Sequence, residues 1–324
     1  MRTILFTTLA LAAATATAQP AKPATADFPQ RVVRWVVPFT AGASNDIVAR
    51  LLAQKLADRW GQQVVIDNRG GAGGMVGAEI VVRANPDGYT LLMANPGANA
   101  INFALRTKTP YTEADLAPVI LLGWSPIMAV TSASAPMNNV KDLIALAKTK
   151  SGQLSAGSSG IGGSSHLALE LFKLQAGVDI LHVPYKGAAP AFTDLIAGQI
   201  QLYFTTPVSA LSLVTGGKLK VLGVAGKQRL AIFPDVPTTA EQGLPNFDVL
   251  IWFGVSVPAQ TPVPVVNKLN TDLNAVLRLP EIKERFAQLG LEAQGGTPAR
   301  FAAFLKEELA RWGQVVKAAN VRPE

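Results

Sequence analysis

Two stretches of this chain are built alike, and together they constrain its fold more than any other feature. PFTAGASNDIVARLLAQKL at 38–56 and SSGIGGSSHLALELFKL at 158–174 each pass from a strand through a turn of small residues into an amphipathic helix. The first turn of an α-helix leaves about four N–H groups without intrahelical partners, and the aligned peptide dipoles add roughly half a positive charge there. A turn of Gly, Ala and Ser lets an anion approach those groups closely. One such unit is ordinary. Two of them in different halves of a chain predict a cleft whose opposite walls both bind anions.

The same alternation of strand and helix runs through the rest of the sequence. Arg31–Val37 is a β-branched run, and Asn45–Trp60 places Ile47, Val48, Leu51, Leu52, Leu56 and Trp60 on one helical face. Val64–Asp67, Gly74–Ala84 and Tyr89–Ala94 continue as strand, helix and strand. The second half repeats the pattern with helices at Asn139–Lys148, Ser164–Gln175, Ala188–Ala197 and Val208–Thr215, and strands at Leu154–Ala156, Ile180–Val183, Gln199–Phe204 and Leu219–Val224. Strands joined by helical crossovers predict α/β architecture with mainly parallel sheets flanked by helices. Thr238 and Glu241 have capping-box spacing for a short helix. The C-terminus reads as helices at Val265–Leu277 and Glu281–Leu289, then Ala299–Ala318 with Thr297 as N-cap and Pro298 at the first position.

Two long extended stretches interrupt this order, Leu116–Thr131 and FDVLIWFGVSVP at 247–258. They predict strands that carry the chain into a second lobe and back. The first lobe is then discontinuous, 28–127 with 249–324, and the second is 128–248. Two crossing strands make a hinge that few residues need to flex. Trp124 and Trp252 fall in them as hinge-side core.

The N-terminus is read apart from the fold. Arg2, the apolar run Ile4–Ala14 and the small-x-small Ala16-Thr17-Ala18 form an export signal at 1–18, cleaved near Ala18. No other run approaches the roughly 20 apolar residues of a membrane span, and an exported chain of this size without cysteine fits a periplasm. The chain has no cysteine and two histidines, His166 and His182, which excludes disulfides and thiolate or His-rich metal sites. Its net charge of +7 comes from basic residues scattered singly, with no adjacent run and no interleaved aromatics, so nucleic-acid binding is not expected.

In the first turn, Phe39 is a candidate apolar wall, Thr40 lies beside it, and Ala41, Gly42, Ala43 and Ser44 are candidates to hold a carboxylate through their N–H groups. Asp46 suits an orienting role, since one carboxylate repels another. An ordinary turn with Ser44 as N-cap accounts for the same residues. In the second turn Ser158, Ser159, Ser164 and Ser165 offer hydroxyls, while Gly160, Gly162 and Gly163 allow close backbone approach. Ser165 beside His166 is not a hydrolase signature, because neighbours at a helix start diverge and no G-x-S-x-G is present. His166 reads as a residue packing at the lobe surface. Asn95 and Gly97 follow one strand and Thr205 and Thr206 another, at the C-terminal ends where open α/β sheets bind ligands. The glycine run Arg69–Gly74 lacks both Walker and G-x-G-x-x-G spacing and reads as a tight turn near the cleft.

The chain resembles the Bug, or TctC-like, periplasmic solute-binding proteins of tripartite tricarboxylate transporters. The resemblance rests on PFTAG and ND within 38–46, IDNRGGAGGMVGAE at 66–79, PDGYTLL at 86–92 and SSGIGGSSHLALELF at 158–172. It continues through VPYKGAAPAFTDLIAGQI at 183–200, PDVPTTAEQG at 234–243 and WFGVSVPAQTP at 252–262. These occur in family order over nearly the whole chain. The resemblance implies a two-lobed, type II-like periplasmic-binding-protein fold, a small organic carboxylate as ligand, no catalysis and no cofactor. It implies work with membrane transporter subunits, and a monomer is expected; the alternative is a ligand sensor on the same scaffold that signals to a membrane histidine kinase. Two departures stand out: Ala43 where the family commonly has a second glycine, and Tyr203-Phe204-Thr205-Thr206 where many members carry an acidic residue. Threonines there favour a ligand without an ammonium group.

Overall fold

The computed structural model describes residues 28–226 and 228–322; the export signal read at 1–18 lies outside them. The chain begins β1 (Val33–Val37), α1 (Ser44–Trp60), β2 (Val64–Asn68), α2 (Met75–Val82), β3 (Thr90–Ala94), α3 (Asn102–Leu105) and β4 (Leu116–Pro126). It continues with β5 (Met128–Ser132), α4 (Val140–Thr149), β6 (Ser155–Ser158), α5 (Ser164–Ala176), β7 (Leu181–Pro184), α6 (Ala188–Ile196), β8 (Leu202–Thr205), α7 (Pro207–Thr215) and β9 (Leu219–Val224). It closes with β10 (Leu250–Pro258), α8 (Val263–Leu277), α9 (Pro280–Gln288), β11 (Glu292–Ala293) and α10 (Pro298–Ala318).

These strands form two sheets, ordered β11-β4-β10-β3-β1-β2 and β7-β6-β8-β5-β9. Both are mixed, where the strand–helix alternation predicts mainly parallel ones. β1 pairs parallel with β2 and β3, and β6 with β7 and β8, as helical crossovers require. The antiparallel part comes from the crossing segments, β10 against β3 and β4 and β5 against β8 and β9, with the short β11 against β4. A strand that arrives from the other lobe is free to run either way, because no helix fixes its direction.

The crossings lie side by side. Ile127, between β4 and β5, donates its N–H to Val249 O at 3.0 Å and accepts from Ala225 N–H at 2.8 Å. β4 and β10 pair along their lengths, from Leu250 opposite Pro126 to Pro258 opposite Leu116, with Trp252 opposite Trp124. The sequence stretch 116–131 is therefore two strands of different sheets, bent at one residue.

The predicted helix at Thr238 is only a set of turns, although the capping-box bonds form: Glu241 N–H donates to Thr238 Oγ1 at 3.2 Å, and Thr238 N–H to the Glu241 carboxylate at 2.6 Å. A capping pair fixes one turn; without an apolar face behind it, no helix propagates.

The C-terminal helix locks the return strand to the first lobe. Trp252 of β10 and Trp312 of α10 are fully buried, and both indole N–H groups donate to Glu308 Oε2, at 2.7 and 2.8 Å. Arg311 binds the other Glu308 oxygen at 3.1 Å and the Asp248 carbonyl at 2.6 Å. Trp252 also packs edge-on against Phe301, with ring centroids 5.7 Å apart. Glu308 is 4% exposed, so truncating it strands two indole donors and the Arg311 charge. Glu308→Ala is expected to cost roughly 2–4 kcal/mol in urea unfolding, and Glu308→Gln, which keeps an acceptor oxygen, less than half of that.

Candidate functional site

α1, α5, α6 and α7 each leave the C-terminal end of a parallel or central strand, and their N-termini converge on one cavity between the two sheets. Its lining comes from Phe39, Ala43, Ser44 and Asn45 on one side, with Ile251 of β10. The second lobe contributes Ser159, Ser164, Ser165, Ala188, Tyr203, Phe204, Thr205, Thr206 and Ser209. The cavity encloses about 390 Å³ not filled by protein atoms. Among the described residues that line it, none is charged.

None of the four helices has a side-chain cap. By contrast α4 and α10, away from the cavity, are capped by Asn139 and Thr297. The N-cap of α1 is Ala43 rather than Ser44, and that of α5 is Gly163; neither has a side-chain oxygen to offer its own helix. The first N–H groups of these helices are thus left to whatever occupies the cavity. Two buried side-chain atoms on its wall, Asn45 Oδ1 and Thr206 Oγ1, also have no hydrogen-bond partner among the described residues.

The two loops are held by the same device. Gly42 and Gly162 adopt φ of 80° and 78°, where side chains are strained, and the next residues, Ala43 and Gly163, return to extended backbone. Gly42 N–H donates to Asp46 Oδ2 at 2.9 Å; Gly162 N–H donates to His166 Nδ1 at 3.3 Å. Ala43 N–H closes on Thr40 O at 3.2 Å, and Gly163 N–H on Gly160 O at 3.0 Å. In both lobes a side chain four residues on takes the glycine N–H and turns the helix end inward.

Asp46 does not face the cavity. Burial opposes its ionisation, but hydrogen bonds from Arg50, the Gly42 N–H and Asn68 outweigh that and hold its carboxyl below the usual range. Asn68 Nδ2 reaches both Asp46 Oδ1 and Phe39 O at 3.0 Å, tying the loop to the helix. In the second lobe Ser165 Oγ accepts from Ser159 N–H at 2.8 Å and lies 3.0 Å from Ser159 Oγ. Burial raises the pKa of the neighbouring Tyr203 hydroxyl to about 12, so it stays protonated. Thr205 Oγ1 and Ser209 Oγ pair at 2.8 Å.

Of the residues read from sequence, Phe39, Ala43, Ser44, Ser159, Ser164, Ser165, Thr205 and Thr206 line the cavity. Ala41 and Gly42 are exposed, and the Gly42 N–H is taken by Asp46, so neither reaches it. Thr40 abuts Gly187 at the lobe boundary. Gly160, Gly162 and Gly163 shape the loop from behind, and Ser158 is a buried support whose Oγ binds Gly160 N–H at 3.1 Å and His182 Nε2 at 2.6 Å. Asn95 and Gly97 are not cavity residues: Asn95 Oδ1 accepts Ala98 N–H at 3.1 Å and its amide donates to Met93 O, while Gly97 O accepts Asn102 Nδ2 at 2.7 Å. Their polar groups are consumed within their own loop. His166 is buried, not at the lobe surface. Asn45, Ala188, Tyr203, Phe204, Ser209 and Ile251 are lining residues that the sequence reading did not select as site residues. Ala188 follows Gly187 as the first residue of a further strand–glycine–helix turn, a signal that was available.

The lobes meet beside the cavity through the glycine run. A Cβ on Gly73 would lie 2.6 Å from the Gly162 carbonyl carbon, and Asn102 Nδ2 reaches Gly162 O at 3.4 Å. Among the described residues no helix is long and apolar enough to cross a membrane, and no group of three His, Cys, Asp or Glu is placed to hold a metal ion.

Residues 48–321 match the family model described as "Tripartite tricarboxylate transporter family receptor". The chain belongs to this family. Its members are periplasmic solute-binding proteins, not enzymes. The chain is similar to Protein BugT of Bordetella pertussis, 36% identical over 95% of both chains. Among solved structures it is similar to Rpa4515 of R. palustris with adipate, at TM-score 0.89 and 36% identity, covering 92% of this chain and 100% of that one. It is likewise similar to MatC from Rhodopseudomonas palustris with bound malate, at TM-score 0.85 and 33% identity, covering 89% and 100%.

Two substitutions test this geometry. Asp46→Ala leaves the Gly42 N–H and Asn68 without their acceptor and is expected to cost about 1–3 kcal/mol at neutral pH. Because the folded-state pKa of Asp46 lies below 3.8, its contribution is present above about pH 4 and lost as pH falls through the folded value, so wild type and Asp46→Asn should converge in stability in acid. Gly73→Ala strains a φ of 63° and places a methyl group against the Gly162 backbone; it is expected to cost about 1–3 kcal/mol in unfolding while holding the lobes apart in small-angle scattering.

Proposed function

We propose that this chain is an exported periplasmic receptor that closes its two lobes, 28–127 with 249–324 and 128–248, on a small aliphatic carboxylate and delivers it to a membrane transporter of the tripartite tricarboxylate type. The observation that carries this reading is the cavity: four uncapped helix N-termini meet there around a lining without charge. Peptide N–H groups at helix starts favour an anion. The hydroxyls of Ser44, Ser164 and Thr206 add donors suited to carboxylate oxygens.

The same lining argues for selectivity. With Asp46 turned away and threonines at 205 and 206, no carboxylate faces the cavity to pair an ammonium group. An amino acid would bury its cation unpaired, which is costly. Phe39, Phe204 and Ile251 supply apolar walls for a short alkyl chain. The relatives solved with adipate and with malate are in keeping with that class. Recognition by neutral donors, without a lysine or arginine clamp, also leaves release possible for a protein that must hand on its cargo.

Calorimetric titration with glutarate, adipate, malate, citrate, benzoate, glutamate and phosphate tests the reading, with Trp124 fluorescence as a second signal from the hinge. An aliphatic carboxylate is expected to saturate one site, and glutarate to bind about tenfold or more tightly than its amino derivative glutamate. Binding confined to glutamate or to phosphate would contradict it.

A further inference from the structure

The acceptor that holds each ligand loop differs in one chemical respect: Asp46 is a carboxylate and His166 is an imidazole. His166 is 5% exposed, and its ring stacks on His182 of β7 with centroids 4.1 Å apart. Nδ1 accepts the Gly162 N–H, which fixes the ring as neutral with its proton on Nε2. His182 Nε2 lies 2.6 Å from Ser158 Oγ, and that oxygen accepts the Gly160 N–H at 3.1 Å. Ser158 thus links the His182 ring to the Gly160 N–H. The stacked pair grips the 158–163 loop at two glycine N–H groups.

We propose that His166, seated on His182, is the positioning residue of the second ligand loop and makes that wall of the cleft acid-sensitive while the first wall is not. The inference rests on the reading of the cavity as a ligand site. A protonated His166 presents an N–H to the Gly162 N–H and can no longer hold it. Asp46, held below the ordinary carboxylate range by its hydrogen bonds, stays ionised and keeps its glycine over the same range. Acid thus loosens one loop selectively.

The surroundings give neither ring a counter-charge. Lys173 lies on the same helix, bound to Glu170 at 3.1 Å, and Arg106 of the first lobe approaches through Asn102, which it binds at 3.0 Å. Among the described residues neither imidazole hydrogen-bonds to a carboxylate. Burial, the neighbouring histidine and Lys173 push His166 down to about 3; burial and Lys173 push His182 down to about 4. A depressed folded pKa means that the neutral pair stabilises the loop above about pH 6.5 and that this support is lost progressively as pH falls towards 4.

Hydrogen exchange of segment 158–166 in the ligand-free protein, corrected for intrinsic rates, tests the proposal, alongside titration with adipate and malate. The wild type should lose roughly ten- to thirtyfold protection there between about pH 7.5 and about pH 5, while segment 39–46 keeps its own. His166→Asn places an acceptor oxygen where Nδ1 was but does not titrate; it should keep protection at both pH values and should remove the wild type's extra loss of affinity in acid. His166→Leu should lack protection at both. Retained protection in His166→Leu, or acid loosening in His166→Asn equal to the wild type, would overturn the proposal. If no carboxylate binds while the exchange pattern holds, the ligand reading fails and the positioning role of His166 stands.

Discussion

Unsatisfied helix N-termini are the constraint on which the rest of this structure depends. A buried N–H group without a partner costs about 1–3 kcal/mol, and here several are directed into one cavity. Natural helices usually meet this cost with a Ser, Asn or Asp cap, as α4 and α10 do. At the cleft Ala43 and Gly163 occupy the cap positions, and the polar side chains that could have capped are used elsewhere. Asp46 and His166 take the glycine N–H one turn back and hold the loop in the shape that leaves the helix ends open. Under the proposed function, these open helix ends are preorganised for an anion.

The fold places equivalent loops on two sheets and joins the sheets by two crossings that lie side by side. Each loop leaves the C-terminal end of a parallel strand, β1 or β6, so both helix dipoles point at the same gap. The crossings at Ile127 and near Val249 share backbone hydrogen bonds, which confines bending to a narrow line. Glu308, between two buried tryptophans, fastens one side of that line to α10. The lobes meet glycine against glycine at 73 and 162, where a side chain would clash with the facing backbone.

Most of this architecture was readable from the chain because it depends on local rules. Alternating apolar runs gave the strands and helices, Thr297-Pro298 gave the start of α10, and the long apolar stretches gave the crossings. The mixed sheets were not readable, since a strand arriving from another lobe carries no mark of its direction. At the site, loops 39–46 and 158–165 were evident as helix openings, but the cavity-facing members within them were not. Asn95 and Gly97 share the composition of the ligand loops and lie at a strand end, yet their polar groups pair internally. Tyr203 sits in the middle of a strand, and only tertiary packing shows that it lines the cavity. The pairing of His166 with His182 spans separate elements and has no signature in spacing.

The most direct measurement is the amide proton and nitrogen chemical shift of Ser44, Asn45, Ser164 and Ser165 in labelled protein titrated with adipate or malate. Anion capture by both helix ends predicts large downfield proton shifts at residues of both loops, saturating together with one affinity, while the Gly42 and Gly162 amides, already paired, move little. Saturable binding that leaves these four amides unshifted, or shifts those of one lobe alone, would contradict it.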